Sequence, residues 1–287
     1  MKSARYAAAI ATLGILLCAA APSDATFDGK NVTVTGYQPM QGYLRETAAP
    51  DGSIHFDMWE SSGGTVVTRY DVDMTKIMHM IVVSDDLRYF DHIHPALQPD
   101  GHLTIDYRPA EPGLYHVYLD GIPHGMGRQV FRFDVPLASD SPAPATARTL
   151  HAPGESQQAG PYRVTLDPVS VPSGEISTID VSITKDGRPA EDLHPYLGAM
   201  AHGVFVGTKD LAYMHAHGMT AEMLDMASAA DCGDSMMLSM PPMVPSDKVA
   251  SRFEFEILAP SAQPYNFWMQ FICGTTLYTV PFLITGK

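Results

Sequence analysis

Six histidines fall into two groups of identical spacing: His79 followed by His92-Ile93-His94, and His202 followed by His215-Ala216-His217. In both, the lone His precedes the pair by thirteen residues, although the intervening sequences share few residues. Imidazole is a ligand for Zn(II) and Cu(II), and three of them held together leave at least one coordination position for water, a thioether or an exogenous ligand. Burying three imidazoles together without a ligand is costly, so the repeated triad favours metal over the plainer alternative of hydrogen-bonded core histidines.

The elements that must position these groups read as strands. If Asp85-Asp86 form a two-residue hairpin loop, His79 faces His92, and Thr208-Lys209 likewise place His202 opposite His215. The second His of each pair lies two residues further along, so it projects from the same face, about 6.5 to 7 Å away at Cα. A four-residue loop centred at the same place keeps that register, and one of different parity turns His79 away. The spacing predicts one three-His site in each half of the chain.

Short runs such as Val32-Thr-Val-Thr35, Ile54-His-Phe-Asp-Met58, Met80-Ile-Val-Val83 and Val130-Phe-Arg-Phe-Asp-Val135 alternate or cluster β-formers between turn residues. The halves also align with each other. Ile54-His-Phe-Asp-Met matches Thr178-Ile-Asp-Val-Ser, Met78-His-Met-Ile-Val-Val matches Ala201-His-Gly-Val-Phe-Val, and Tyr115-His-Val-Tyr-Leu matches Tyr265-Asn-Phe-Trp-Met. The expected fold is all-β, with two tandem β-sandwich domains of immunoglobulin or cupredoxin type. Their bounds are read as 26–137 and 160–287, joined by a Pro- and Ala-rich linker at 138–159.

Methionine is the compositional oddity, at 17 residues. Seven lie between 219 and 243: Met219, Met223, Met226, Met236, Met237, Met240 and Met243. Their spacing puts a thioether stripe on one face of a short helical insertion in the second domain, either as adaptable packing or as soft accessory ligands that select Cu(I). His124 and Met126 are candidate accessory ligands in the first half. Met78 and Met80 alternate away from His79.

Residues 1–25 read as a secretory signal peptide. Lys2 and Arg5 precede an almost uncharged run too short to span a bilayer comfortably, and Ser23 and Ala25 are small residues at cleavage spacing. Leu17 stands before Cys18 where a lipoprotein needs a small residue, so lipid anchoring is not expected. The mature chain, which carries no membrane-spanning stretch, is therefore placed in the periplasm or outside the cell. There Cys232 and Cys273 form either a disulfide, closing a loop of about forty residues worth roughly 3 to 4 kcal/mol, or thiolate ligands. With a net charge of -14, nucleic acid is an unsuitable partner.

The string Leu193-His-Pro-Tyr-Leu-Gly-Ala-Met-Ala-His202, followed by Asp210-Leu-Ala-Tyr-Met-His-Ala-His217, resembles a poorly characterised group of bacterial secreted and periplasmic, His-rich β-sandwich proteins. Met78-His-Met-Ile-Val-Val-Ser-Asp-Asp-Leu and Phe90-Asp-His-Ile-His-Pro95 look like the same group. The resemblance implies an extracytoplasmic β-sandwich associated with metal handling; Pro95 fits its pattern and Gly218 departs from it. The reading that follows is a copper carrier or sequestering protein, with zinc as the other metal and a periplasmic transporter or acceptor protein as partner. The alternatives are a metalloenzyme, with a hydratase- or hydrolase-like zinc or a dismutase-like copper, and an adhesion or assembly module with structural histidines.

Overall fold

The computed structural model describes residues 25–32, 40–49, 51–137, 148–222 and 249–287. The first half contributes β1 (Ala25–Asp28), β2 (Lys30–Asn31), β3 (Gln41–Ala48), β4 (Ile54–Ser62), β5 (Thr65–Val66), β6 (Tyr70–Asp71), β7 (Met78–Ser84), β8 (Phe90–Ile93), β9 (Ala96–Leu97), β10 (Leu103–Tyr107), β11 (Gly113–Pro123) and β12 (Gln129–Leu137). The second contributes β13 (Ser156–Ala159), β14 (Tyr162–Asp167), β15 (Ser170–Val171), β16 (Ile176–Lys185), β17 (Arg188–Pro189), β18 (Leu193–His194), β19 (His202–Gly207), β20 (Tyr213–His217), β21 (Arg252–Leu258), β22 (Pro264–Cys273) and β23 (Thr276–Gly286).

Each half is a pair of sheets, as its alternating sequence requires. The first packs β1-β3-β4-β10-β9 on β2-β12-β11-β7-β8, and the second packs β13-β14-β16-β17 on β15-β23-β22-β19-β20. The filling side chains come from alternate positions: Leu44, Phe56, Val82, Val117 and Phe133 in the first half, Val164, Phe205, Phe255, Phe267 and Phe282 in the second. The second sandwich begins at Ser156, because β13 pairs with β14 inside the stretch that reads as linker.

The strands that carry the lone histidines depart from alternation over their whole length. Every residue of β7 and of β19 is buried. A strand buried on both faces needs a cover on both, and reads in sequence as a continuous apolar run. One face of β7 sends Met78, Met80 and Val82 into its own sandwich. The other face, with His79, Ile81 and Val83, meets its counterpart from the second half: Ile81, Val83, Tyr118, Val204, Val206 and Trp268 belong to one shared apolar cluster. The two histidine-bearing sheets therefore pack against each other. Tyr118 stacks on Tyr213 with centroids 4.7 Å apart, Phe90 stacks on Trp268 at 4.9 Å, and the Tyr118 hydroxyl donates to the Leu211 carbonyl at 2.9 Å.

Two hairpin loops close this interface at one end. The loops, 85–88 and 208–211, are four residues long, and each holds a leucine at positive φ, Leu87 at 58° and Leu211 at 61°. That conformation costs a non-glycine residue about 1 kcal/mol or more, offset here by burying both side chains in the shared cluster. The described end of the linker stretch straps across both loops: Thr149 N donates to Asp86 O at 2.6 Å, and Arg148 reaches Thr208 O at 3.2 Å.

Candidate metal centre

The loops set the histidine register, and it differs from the expected one by two residues. His92 lies opposite Ile81, and His202 lies opposite His217 rather than His215. The loops are displaced toward the second strand, because Leu87 and Leu211 are drawn under the interface. A shift of two preserves side-chain parity, so the histidines still share a face. That face is the covered one. The two triads, expected as separate sites, meet in a single cluster, with His79 4.8 Å from His215 and His92 5.4 Å from His202 between ring centroids.

Four of the six converge. One ring nitrogen from each of His79, His92, His202 and His215 lies within 4.8 Å of every other, two from each half. The inner contacts are His79 Nδ1 to His92 Nε2 at 2.9 Å and His202 Nδ1 to His215 Nε2 at 3.1 Å. His94 and His217, the second members of each pair, flank this quartet, with His94 5.1 Å from His79 and His217 4.6 Å from His202.

The outer nitrogens identify what the inner ones can do. His92 Nδ1 donates to Gln270 Oε1 at 2.9 Å, and the Gln270 amide nitrogen is engaged with Thr279 Oγ1. His215 Nδ1 donates to Asp120 Oδ2 at 3.3 Å, and His202 Nε2 donates to the Tyr196 carbonyl at 3.1 Å. Two of these supports cross the interface: Gln270 of the second half holds a first-half histidine, and Asp120 of the first half holds a second-half one. A neutral imidazole has one N–H. With its proton committed to Tyr196, His202 has only a lone pair at Nδ1, and it faces the lone pair of His215 Nε2. A second proton would relieve this, yet burial and the neighbouring His217 and His215 hold the His202 pKa well below its usual value. A cation that accepts both lone pairs satisfies His202 and His215 together.

The remaining histidines are also kept neutral. Burial, reinforced by neighbouring imidazoles, pushes His92 and His94 down to about 3. Burial carries His217 to about 4. Protons thus compete weakly for the ligand atoms near neutral pH.

Around the first half's side of the cluster lies a buried charge network. Arg128 bridges Asp120 at 2.6 Å and Asp73 at 2.5 Å, and the Tyr213 hydroxyl donates to Asp120 at 3.1 Å. A cleft lined by Asp120, Arg128, Tyr213, Met214 and His215 reaches the cluster from this side. Asp73, Asp120 and Gln270 are not among the sequence-predicted site residues, and Tyr196 stands in the quoted His-rich string without a role. One signal was available: extending the match of Tyr115–Leu119 with Tyr265–Met269 by one residue aligns Asp120 with Gln270, two polar residues ending apolar runs.

Other expected ligands stand elsewhere. His124 is half-exposed and paired with Asp71 at 2.6 Å, while Met126 packs against the first sandwich's core. Neither joins a convergent set among the described residues, because the loop that carries them turns away after β11. Met78 and Met80 point into that core, as alternation requires. Met219 makes a backbone bridge to Glu254. Met223, Met226, Met236, Met237, Met240, Met243 and Cys232 lie outside the described residues. Cys273 is buried at the end of β22 with no disulfide partner among the described residues, and burial raises its thiol pKa to about 11.

Residues 156–287 match the model of a family described as a domain of unknown function, DUF8832, which spans the second sandwich from its first strand. No curated protein matches the chain.

Proposed function

We propose that the protein sequesters a copper ion between its two halves, in an extracytoplasmic compartment. The observation that carries this reading is the proton accounting at His202: its outer nitrogen must donate to Tyr196, which turns an inner lone pair toward that of His215. Outer nitrogens held by a carboxylate, an amide oxygen and a carbonyl are the supports that metal-ligating histidines require.

Four neutral imidazoles favour Cu(II) over other divalent ions of the first row by the usual stability order, and also accept Cu(I) and Zn(II). The methionine-rich segment at 219–243 supplies soft thioethers, which suit Cu(I) delivery to or from the site. Four nitrogens fill a tetrahedral shell, the pattern of a closed site, whereas a catalytic metal keeps a position for water. Burial of the quartet favours sequestration with slow exchange through the cleft, and release to a transporter or acceptor protein.

Titration of the purified protein with Cu(I), Cu(II) and Zn(II) tests the reading. Binding tighter than micromolar, with an all-nitrogen Cu(II) EPR spectrum for the first equivalent bound that is lost in His92→Ala and His215→Ala, is expected. Absence of any such binding overturns it.

A further inference from the structure

Asp73, His79 and His217 form a second convergent set, each offering one atom within 4.8 Å of the others. It shares His79 with the quartet, but through the other side of the ring. His79 Nδ1 faces His92 within the quartet, while His79 Nε2 is 3.8 Å from Asp73 Oδ2. His79 is fully buried; its Nε2 and that of His217 make no hydrogen bond of full geometry within the protein, the Asp73 backbone offering His79 only a contact that falls short of one. Two buried ring nitrogens so poorly satisfied, facing a carboxylate, are costly unless something binds them.

The pseudo-symmetry of the halves shows that this set is an addition to the common plan. Asp73 sits in a tight turn bridged to Lys76, with Met74 at φ 55°. Six residues before the other lone histidine stands the matching turn, Tyr196 bridged to Ala199, with Leu197 at φ 50°. There the turn's own carbonyl accepts from His202 Nε2, and the side chain is a tyrosine. The mirror of Asp73, His79 and His217 would be Tyr196, His202 and His94, which has no carboxylate and whose His202 outer nitrogen is already used. Only the first half turns an acidic side chain inward at this position. Arg128 fixes that carboxylate, and Asp73 with Asp120 outweighs Arg128 by one negative charge, which favours a cation.

We propose that Asp73, His79 and His217 bind a second divalent cation of borderline softness, Cu(II) or Zn(II), and that His79 bridges it to the quartet ion. Two nitrogens and one carboxylate oxygen suit either metal. A neutral His79 has one ring proton, so coordination at both nitrogens releases that proton to solvent and leaves a bridging imidazolate. No electron is transferred. The bridge rests on the quartet reading, whereas the Asp73 set does not need it.

Cu(II) titration with parallel EPR on the intact protein separates the two. The expected result is two ions per chain and a signal well below the copper content, because an imidazolate couples the two spins. Asp73→Asn and, independently, His217→Ala should bind one ion with a full-intensity, all-nitrogen signal. His215→Ala should instead lose the quartet ion and the coupling. One ion at full intensity in the wild type, unchanged by Asp73→Asn and His217→Ala, overturns the second site while leaving the quartet intact. Loss of the sole ion in Asp73→Asn, with no effect of His92→Ala or His215→Ala, keeps the acidic set, removes the bridge and sinks the quartet reading.

Discussion

The two halves present the same histidines on the same strands but surround them differently. In the first, Asp73, Asp120 and Arg128 form a buried charge network, and Glu60 is pushed up to about 8 by burial and by Asp120. In the second, the matching positions near the cluster are Tyr196 and Gln270, both uncharged. A duplicated framework thus supplies a quartet with pseudo-two-fold symmetry, while the electrostatics around it are one-sided. On the proposed reading, a metal's position would be set by what the halves share, and its charge environment by what they do not.

The largest test replaces equivalent ligands. His79→Ala and His202→Ala should each weaken the quartet ion at least about a thousandfold, about 4 kcal/mol. Only His79→Ala should also abolish binding at Asp73. Copper stoichiometry by equilibrium dialysis, with circular dichroism to confirm folding, reads the difference. Identical residual binding in the two variants would break the proposed asymmetry.

Next in size are the outer supports. Asp120→Asn and Gln270→Ala should each cost about ten- to a hundredfold in copper affinity, since each holds one ligand's tautomer. Their effects on folding should diverge. Removing the Asp120 charge leaves Arg128 with one buried partner and should cost about 3 kcal/mol. Losing the Gln270 hydrogen bond should cost about 1 to 2 kcal/mol. Chemical denaturation of chelator-treated protein measures both, and equal losses would mean that the charge network is not energetically special.

Acidity separates the halves' contributions as well. The cluster histidines sit below their ordinary value of about 6.5 in the folded state, so the unfolded chain binds protons first. Stability of chelator-treated protein should be complete above about pH 6.5 on this account and fall as pH drops toward 3, by about 1.4 kcal/mol per pH unit for each fully buried member. Glu60 has the opposite sign. Its raised pKa means stability is lost as pH climbs from about 4.5 through 8. Glu60→Gln should flatten that alkaline limb and leave the acid limb intact, as read by Tm against pH.

The all-β class, the internal duplication and the shared face of the histidines were legible in the sequence, because alternation and repeat spacing record them directly. That β7 and β19 cover each other was legible only in part. Met78-His-Met-Ile-Val-Val83 and His202-Gly-Val-Phe-Val206 are continuous apolar runs, the mark of strands buried twice. What the second cover is cannot be read from one strand alone, so two separate triads were the natural expectation. The register was off by two because loop length follows from where Leu87 and Leu211 bury, a tertiary effect. Asp73, Asp120 and Gln270 are single polar residues whose meaning appears only once the opposite half is in place.

The smallest effect is a control on the framework itself. The Tyr115 hydroxyl donates to the Glu111 carbonyl at 2.8 Å, and the Tyr265 hydroxyl donates to the Ser261 carbonyl at 2.8 Å, each four residues back along its own chain. Both rings are buried, both lie near the start of a central strand of a histidine-bearing sheet, β11 and β22, and neither hydrogen-bonds to the charge network. Tyr115→Phe and Tyr265→Phe should therefore cost the same, about 1 kcal/mol each, and leave copper affinity unchanged. A clear inequality between them would show that the halves differ in their scaffolds as well as in their electrostatics. The contrast between Asp120 and Gln270 would then no longer isolate charge.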